Sequence, residues 1–153
     1  MILAVALLLA GERMAIGVYD AWGAFREGDP ARCYAISKPL RAGGSARWRP
    51  FASVAARFGR DGRPAIYIRL SSARSAAAPA TLAIGERRFT LAGNARAAWA
   101  PDAATDRAIV AAMRGGRSMS VSAVSASGRA FADSYALGGA ATAIDAATLG
   151  CLG

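Results

Sequence analysis

Met119, Val121 and Ala123 alternate with Ser118, Ser120 and Ser122 in the stretch SMSVSAV. Period two sends successive side chains to opposite faces, and only an extended strand with one buried face satisfies it. After the turn residues SASG the alternation returns, with Phe131, Asp133, Tyr135 and Leu137 on one face and small residues on the other. The pair reads as a β-hairpin, and it dictates a fold in which strands do most of the work.

Further strands precede it. Trp22 and Phe25 flank a glycine in a short strand-like segment, EGDPAR makes a turn, and CYAIS returns. FASVAARF reads as a strand before the turn GRDGRP, and AIYIRLS is rich in Ile and Tyr. TLAIGERRFTLAG is a hairpin with Arg87 and Arg88 at its solvated tip. RAGGSARWRP and ARSAAAPA are loops. Helical spacing appears at Ala108, Ile109, Ala112 and Met113, opened by Pro101-Asp102 with Asp102 or Thr105 as cap. Gly115 is the expected left-handed C-cap. A last short helix carries Ile144 and Leu149 and ends beside Cys151. The expected fold is mainly β, an antiparallel β-sandwich or open barrel with one or two short C-terminal helices.

Of 153 residues, 54% are hydrophobic, but alanine supplies much of that share, so the core is small for the length. No linker divides the chain. Residues 11–153 are expected to form a single β-rich domain, after a signal-peptide-like segment at 1–10, MILAVALLLA. That run is too short to span a bilayer and reads as the apolar region of a leader. It lacks a basic flank, which a misassigned start accounts for; a buried N-terminal segment of a cytosolic protein is the competing reading. No transmembrane helix is expected in the mature chain. The two cysteines, Cys33 and Cys151, fit export as one disulfide, against the alternative of two free thiols. Periplasmic or secreted localisation follows.

The net charge is +9, yet Lys38 is the only lysine and the arginines are scattered, with Arg87-Arg88 the one adjacent pair and no longer basic run. That is no nucleic-acid footprint, and attraction to an anionic surface or polysaccharide suits it better. The chain has no histidine, which excludes Ser-His-Asp and Cys-His catalysis and His-ligated zinc or haem. No cofactor or metal is expected.

The residues Ala112-Met113-Arg114-Gly115-Gly116, Met119-Ser120-Val121, Gly128, Tyr135-Ala136-Leu137-Gly138-Gly139 and Ala143-Ile144-Asp145-Ala146 resemble the C-terminal half of the invasion-associated locus B family. The likeness covers Trp99 to Cys151 and is looser before it, resting on WGAF, CYAIS and IGERRFTL. It implies an exported, β-rich protein, and the missing histidine with the lack of a nucleophile–base pair in the sequence makes a non-enzymatic role the expectation. Two departures stand out. A pair of cysteines before the helix is replaced by Trp99-Ala100-Pro101, and the aromatic after the Leu-x-Gly step by small residues at Gly139 and Ala140.

Candidate chemistry is thin. Asp102 and Asp106 share a helix face, where acids complement the helix dipole more simply than they catalyse. Asp133 points inward and needs a partner, Arg69 or Arg129, unless it guards a sheet edge. Trp22 and Trp99 read as core anchors. Trp48, between Arg47 and Arg49, reads as an exposed aromatic with flanking charge, suited to an anionic partner. The function expected is binding of an envelope protein partner, or alternatively of a small molecule or polysaccharide of the envelope.

Overall fold

A single antiparallel sheet of ten strands organises the computed structural model, which describes residues 12–58 and 62–152. The strands are β1 (Met14–Tyr19), β2 (Trp22–Glu27), β3 (Arg32–Ser37), β4 (Phe51–Phe58), β5 (Arg63–Arg69), β6 (Ala80–Ile84), β7 (Arg87–Gly93), β8 (Ala97–Trp99), β9 (Ser118–Val124) and β10 (Ala130–Ala136). Their spatial order is β1-β2-β3-β4-β5-β8-β7-β6-β9-β10. Two helices, α1 (Ala103–Gly115) and α2 (Ala140–Gly150), flank the final hairpin. The leader-like segment 1–10 and residues 59–61 of the expected GRDGRP turn lie outside the described residues.

The sheet wraps without closing. Although β2 and β10 sit near opposite ends of the strand order, the Trp22 indole N–H donates to the Ala136 carbonyl at 2.8 Å. Beside it, Leu40 N–H donates to Ser134 O at 2.7 Å and Ser134 N–H returns to Arg41 O at 2.8 Å. This is the open-barrel arrangement expected from the alternation. Inner-facing residues Trp22, Val54, Ile66, Ile68, Leu82, Met119, Val121 and Tyr135 make the core with Ile109 and Met113 of α1. Much of the rest is alanine. α2 buries Ala140, Ala143, Ile144 and Ala147, small side chains that let it lie close against β1–β4.

Each helix is tied down by a specific contact. The Asp102 carboxylate accepts Thr105 N–H at 2.7 Å, the expected cap. Asp106, in the first turn of α1, is buried and accepts the Ile66 N–H at 2.9 Å, with the Arg63 guanidinium at 3.3 Å. The role of Asp106 is therefore to fasten α1 to β5. At the other end of the chain Cys33 and Cys151 form a disulfide across 118 residues, joining α2 to β3.

The expected strand around Trp22 and Phe25 is β2, and ahead of it lies an additional strand, β1, joined to it by a turn in which Asp20 takes a positive φ of 51°. Three expectations change. The C-cap of α1 is Gly116 in an extended conformation, not a left-handed Gly115, and the chain passes directly into β9. Trp99 does not anchor the core; it is half-buried on the outer face of β8, opposite Tyr67. Asp133 has no arginine partner. Its carboxylate is fully buried and accepts Gly43 N–H and Ser71 N–H, each at 2.9 Å, together with the Ser71 hydroxyl. Backbone and hydroxyl donors thus replace the expected cation.

Candidate partner-binding face

The two halves of the sheet have unlike outer faces. On β6, β9 and β10 the outward residues are mostly small or polar: Thr81 and Ala83, then Ser118, Ser120 and Ser122 with Val124 at the strand end, then Ala132 and Ser134. A solvated antiparallel sheet has this pattern. On β2 to β5 and β8 the outward positions include Phe25, Tyr34, Ile36, Phe51, Tyr67 and Trp99, interspersed with Gly23, Ser53, Ala55 and Arg69. Neither the disulfide-bound α2 nor the hairpin β9–β10 covers them.

The rings are ordered by strand register. Phe25 and Tyr34 face each other across β2 and β3 with centroids 5.9 Å apart. Phe51 and Tyr67 lie diagonally on β4 and β5 at 5.9 Å, and Tyr67 stands parallel to Trp99 at 6.3 Å. Cross-strand aromatic pairs of this kind stabilise a sheet by roughly 0.5–1.5 kcal/mol each. They still leave Tyr67 42% exposed, Leu40 74% and Val18 74%, more apolar surface than stability requires.

Cations border the face. The Arg13 guanidinium lies 4.1 Å from the Phe25 centroid and 5.7 Å from that of Tyr34. The Tyr34 hydroxyl donates to Glu27 at 3.1 Å, and burial, with the Glu27 carboxylate next, holds its ionisation above the usual tyrosine range. Arg69 donates through Nε to the Trp48 carbonyl at 2.7 Å.

That last bond places the sequence-predicted triplet. Arg47 and Trp48 lie in a single 3-10 turn, Ala46–Trp48, capped by Ser45, and Arg49 ends it in a left-handed conformation at φ 49°. Arg69, which pairs with Phe51, hooks this turn onto the end of the aromatic row. Arg47 and Arg49 are exposed; Trp48 is half-buried, not fully exposed, because the Arg96 guanidinium stacks on its ring at 5.1 Å.

Two clefts indent the face. One of about 630 Å³ lies at the β1–β2 end and includes Val18, Trp22, Ile36, Leu40 and Phe51. A second of about 450 Å³ lies between Tyr67, Trp99 and the Arg63–Asp106 pair. Among the described residues no group of His, Cys, Asp and Glu could hold a metal ion, and no helix is long and apolar enough to cross a membrane.

The wrapped sheet, its closing hairpin and its terminal helix match a solved structure. The fold is that of an invasion-associated protein B. The crystal structure of invasion associated protein B from Bartonella henselae superposes with a TM-score of 0.65 at 14% identity, covering 86% of this chain and 94% of that one. The invasion-associated fold is thus the one that the C-terminal resemblance implied. No family model and no curated protein matches the sequence.

The aromatic face was missed as a unit, although its signal is present. In AIYIR, Tyr67 stands between the buried Ile66 and Ile68, so neither face of that strand is polar. A strand with two apolar faces needs two partners.

Proposed function

We propose that this is an exported, non-enzymatic envelope protein that binds a protein partner through the outer face of β1–β5 and β8. The observation that carries this reading is the contrast between the serine-rich outer face of β9 and the aromatic row Phe51–Tyr67–Trp99. Exposed apolar patches bordered by charge mark interaction surfaces, and aromatics and arginine are the residues that dominate binding energy. The Cys33–Cys151 disulfide supports export, since such bonds persist in oxidising compartments. The absence of histidine favours binding over turnover, and the hydroxyl–carboxylate contact of Ser71 with Asp133 is fully buried, where it holds loops to β10.

A photo-crosslinking residue at position 67, in full-length protein within envelope extracts, tests this. The expected result is one discrete protein adduct that the same residue at position 120 does not give. Equal adducts at both positions would remove the outer face from consideration, and turnover of a substrate by the purified protein would overturn the non-enzymatic reading.

A second reading rests on the smaller cleft. Parallel Tyr67 and Trp99 rings beside Arg63 and Asp106 suit a sugar ring, with apolar contact to its face and polar contact to its edge. Glycan-array binding that disappears in Tyr67→Ala, with no protein adduct, would favour a polysaccharide-binding module.

A further inference from the structure

The larger cleft specifies the chemistry of what fills it. Resting on the outer-face reading, we propose that it receives a large apolar side chain of the partner protein flanked by carboxylates, so that the docking segment is acidic and amphipathic.

The uncharged part of the lining disfavours a sugar. Trp22 spends its one N–H on the Ala136 carbonyl, and the Ser37 hydroxyl donates to Ala21 O at 2.6 Å. The side chains of Ile36 and Phe51 offer no hydrogen bond. A hydroxyl-rich ligand seated there would lose its water without compensation. An aliphatic or aromatic side chain loses nothing and removes apolar surface from water.

The walls exclude a lone acyl chain. Val18 and Leu40 rise on the lining of the cleft, each 74% exposed. A hydrocarbon laid between them would stay wet on its outer side. A folded partner brings its own surface to cover Val18 and Leu40, as a buried anchor with a dry surround requires.

The rim selects charge. Arg13 and Lys38 line the cleft and neither is ion-paired with a described residue; Asp20 is the single acid among the lining residues. Arg13 is held by its stack on Phe25, which leaves its N–H groups available to a carboxylate. A second copy of this chain is a poor occupant, because it carries a net +9 and would set cation against cation.

Panning a library of displayed random peptides against the disulfide-intact protein tests the assignment. Selected peptides are expected to share a large apolar residue next to Asp or Glu. Leu40→Asp should weaken them roughly tenfold or more, as loss of an anchor contact does. Arg13→Glu with Lys38→Glu should do the same and shift selection toward basic peptides, while Ser120→Glu leaves binding unchanged. Arg13, Lys38 and Leu40 are exposed and Ser120 is half-buried on the outer face of β9, and an unchanged melting temperature verifies the fold of each variant. Peptides that ignore Leu40 and Arg13, or no selected peptide at all, would overturn the cleft assignment. Leu40-dependent binding of a fatty acid such as oleate in their place would overturn it in favour of a lipid. Neither outcome touches the crosslinking result at position 67, so failure of the cleft and failure of the outer-face reading remain distinguishable.

Discussion

The carboxylate of Asp133 in β10 accepts the backbone N–H of Ser71 at 2.9 Å, across 62 residues of sequence. The same carboxylate takes Gly43 N–H and the Ser71 hydroxyl, so one buried acid joins the last strand to two loops from the first half of the chain. Removing it strands those donors. Asp133→Ala is expected to cost about 3 kcal/mol or more, the scale for several buried groups left without partners. Asp133→Asn should cost less, because its amide oxygen still accepts. Urea denaturation of the three proteins checks the order.

The disulfide acts over a longer span. A bridge closing 118 residues removes much of the freedom of the unfolded chain and should stabilise by about 4–5 kcal/mol in the loop-entropy picture. Cys33→Ala with Cys151→Ala, or reduction, should lower the denaturation midpoint accordingly, since a core filled with alanine has little reserve. Alkylation and mass spectrometry of unreduced protein should find no free thiol.

Gly139 explains the departure from the family pattern at the entry to α2. It caps that helix with φ +86°, and a Cβ there would sit 1.8 Å from the Tyr19 carbonyl oxygen. The next residue, Ala140, is fully buried against the sheet, so there is no room for an aromatic. Gly139→Ala combines backbone strain with a clash that only movement of the β1–β2 turn relieves. It is expected to destabilise by about 2 kcal/mol or more, read as a drop in melting temperature.

These cases show what was legible and why. The alternation in β9 and β10, the Asp102 cap and the cysteine pair are local or countable, and each led to the observed element. The inward direction of Asp133 was also legible from period two. Its partners were not, because Gly43 and Ser71 are backbone donors brought in by the wrapping of the sheet. Trp99 misled for the same reason: its strand is short, and only the register with Tyr67 decides which face it takes. The Arg47–Trp48–Arg49 triplet carried an aromatic and charge, but nothing local marks that Arg96 and Arg69 hold it.

Tyr135 gives a pH signature. Its hydroxyl is buried without a hydrogen-bond partner among the described residues, and burial first, then the Asp133 charge, raises its ionisation above the usual value near 10. A group raised in the folded state contributes stability that is present below its unfolded value and lost as pH climbs past it. Stability should therefore decline above about pH 10. Tyr135→Phe removes the orphan hydroxyl and the titration together. The variant should be as stable as the parent at neutral pH or more so, by up to about 1 kcal/mol, with a shallower alkaline decline. Denaturation midpoints measured from pH 7 to 11 compare the two.

Arg69 is the hook between the aromatic row and the Trp48 turn. Its Nε bond to the Trp48 carbonyl is partly exposed, so Arg69→Ala should change global stability by only about 1 kcal/mol. The turn should loosen, because what remains is the Arg96 stack on Trp48, the Trp48 N–H bond to Ser45 O at 3.2 Å and the Ser45 N–H bond to Ser71 O at 2.8 Å. Trp22 is fully buried and should not respond. The expected outcome is a red-shifted, more readily quenched tryptophan emission, absent when Arg69→Ala is made together with Trp48→Phe. Affinity for acidic peptides that reach the turn should fall as well, since Arg47 and Arg49 would no longer be held beside Phe51. An unchanged emission spectrum would mean that the Arg96 stack and the backbone bonds of Ser45 and Trp48 fix the turn without Arg69, and that the triplet is independent of the aromatic face.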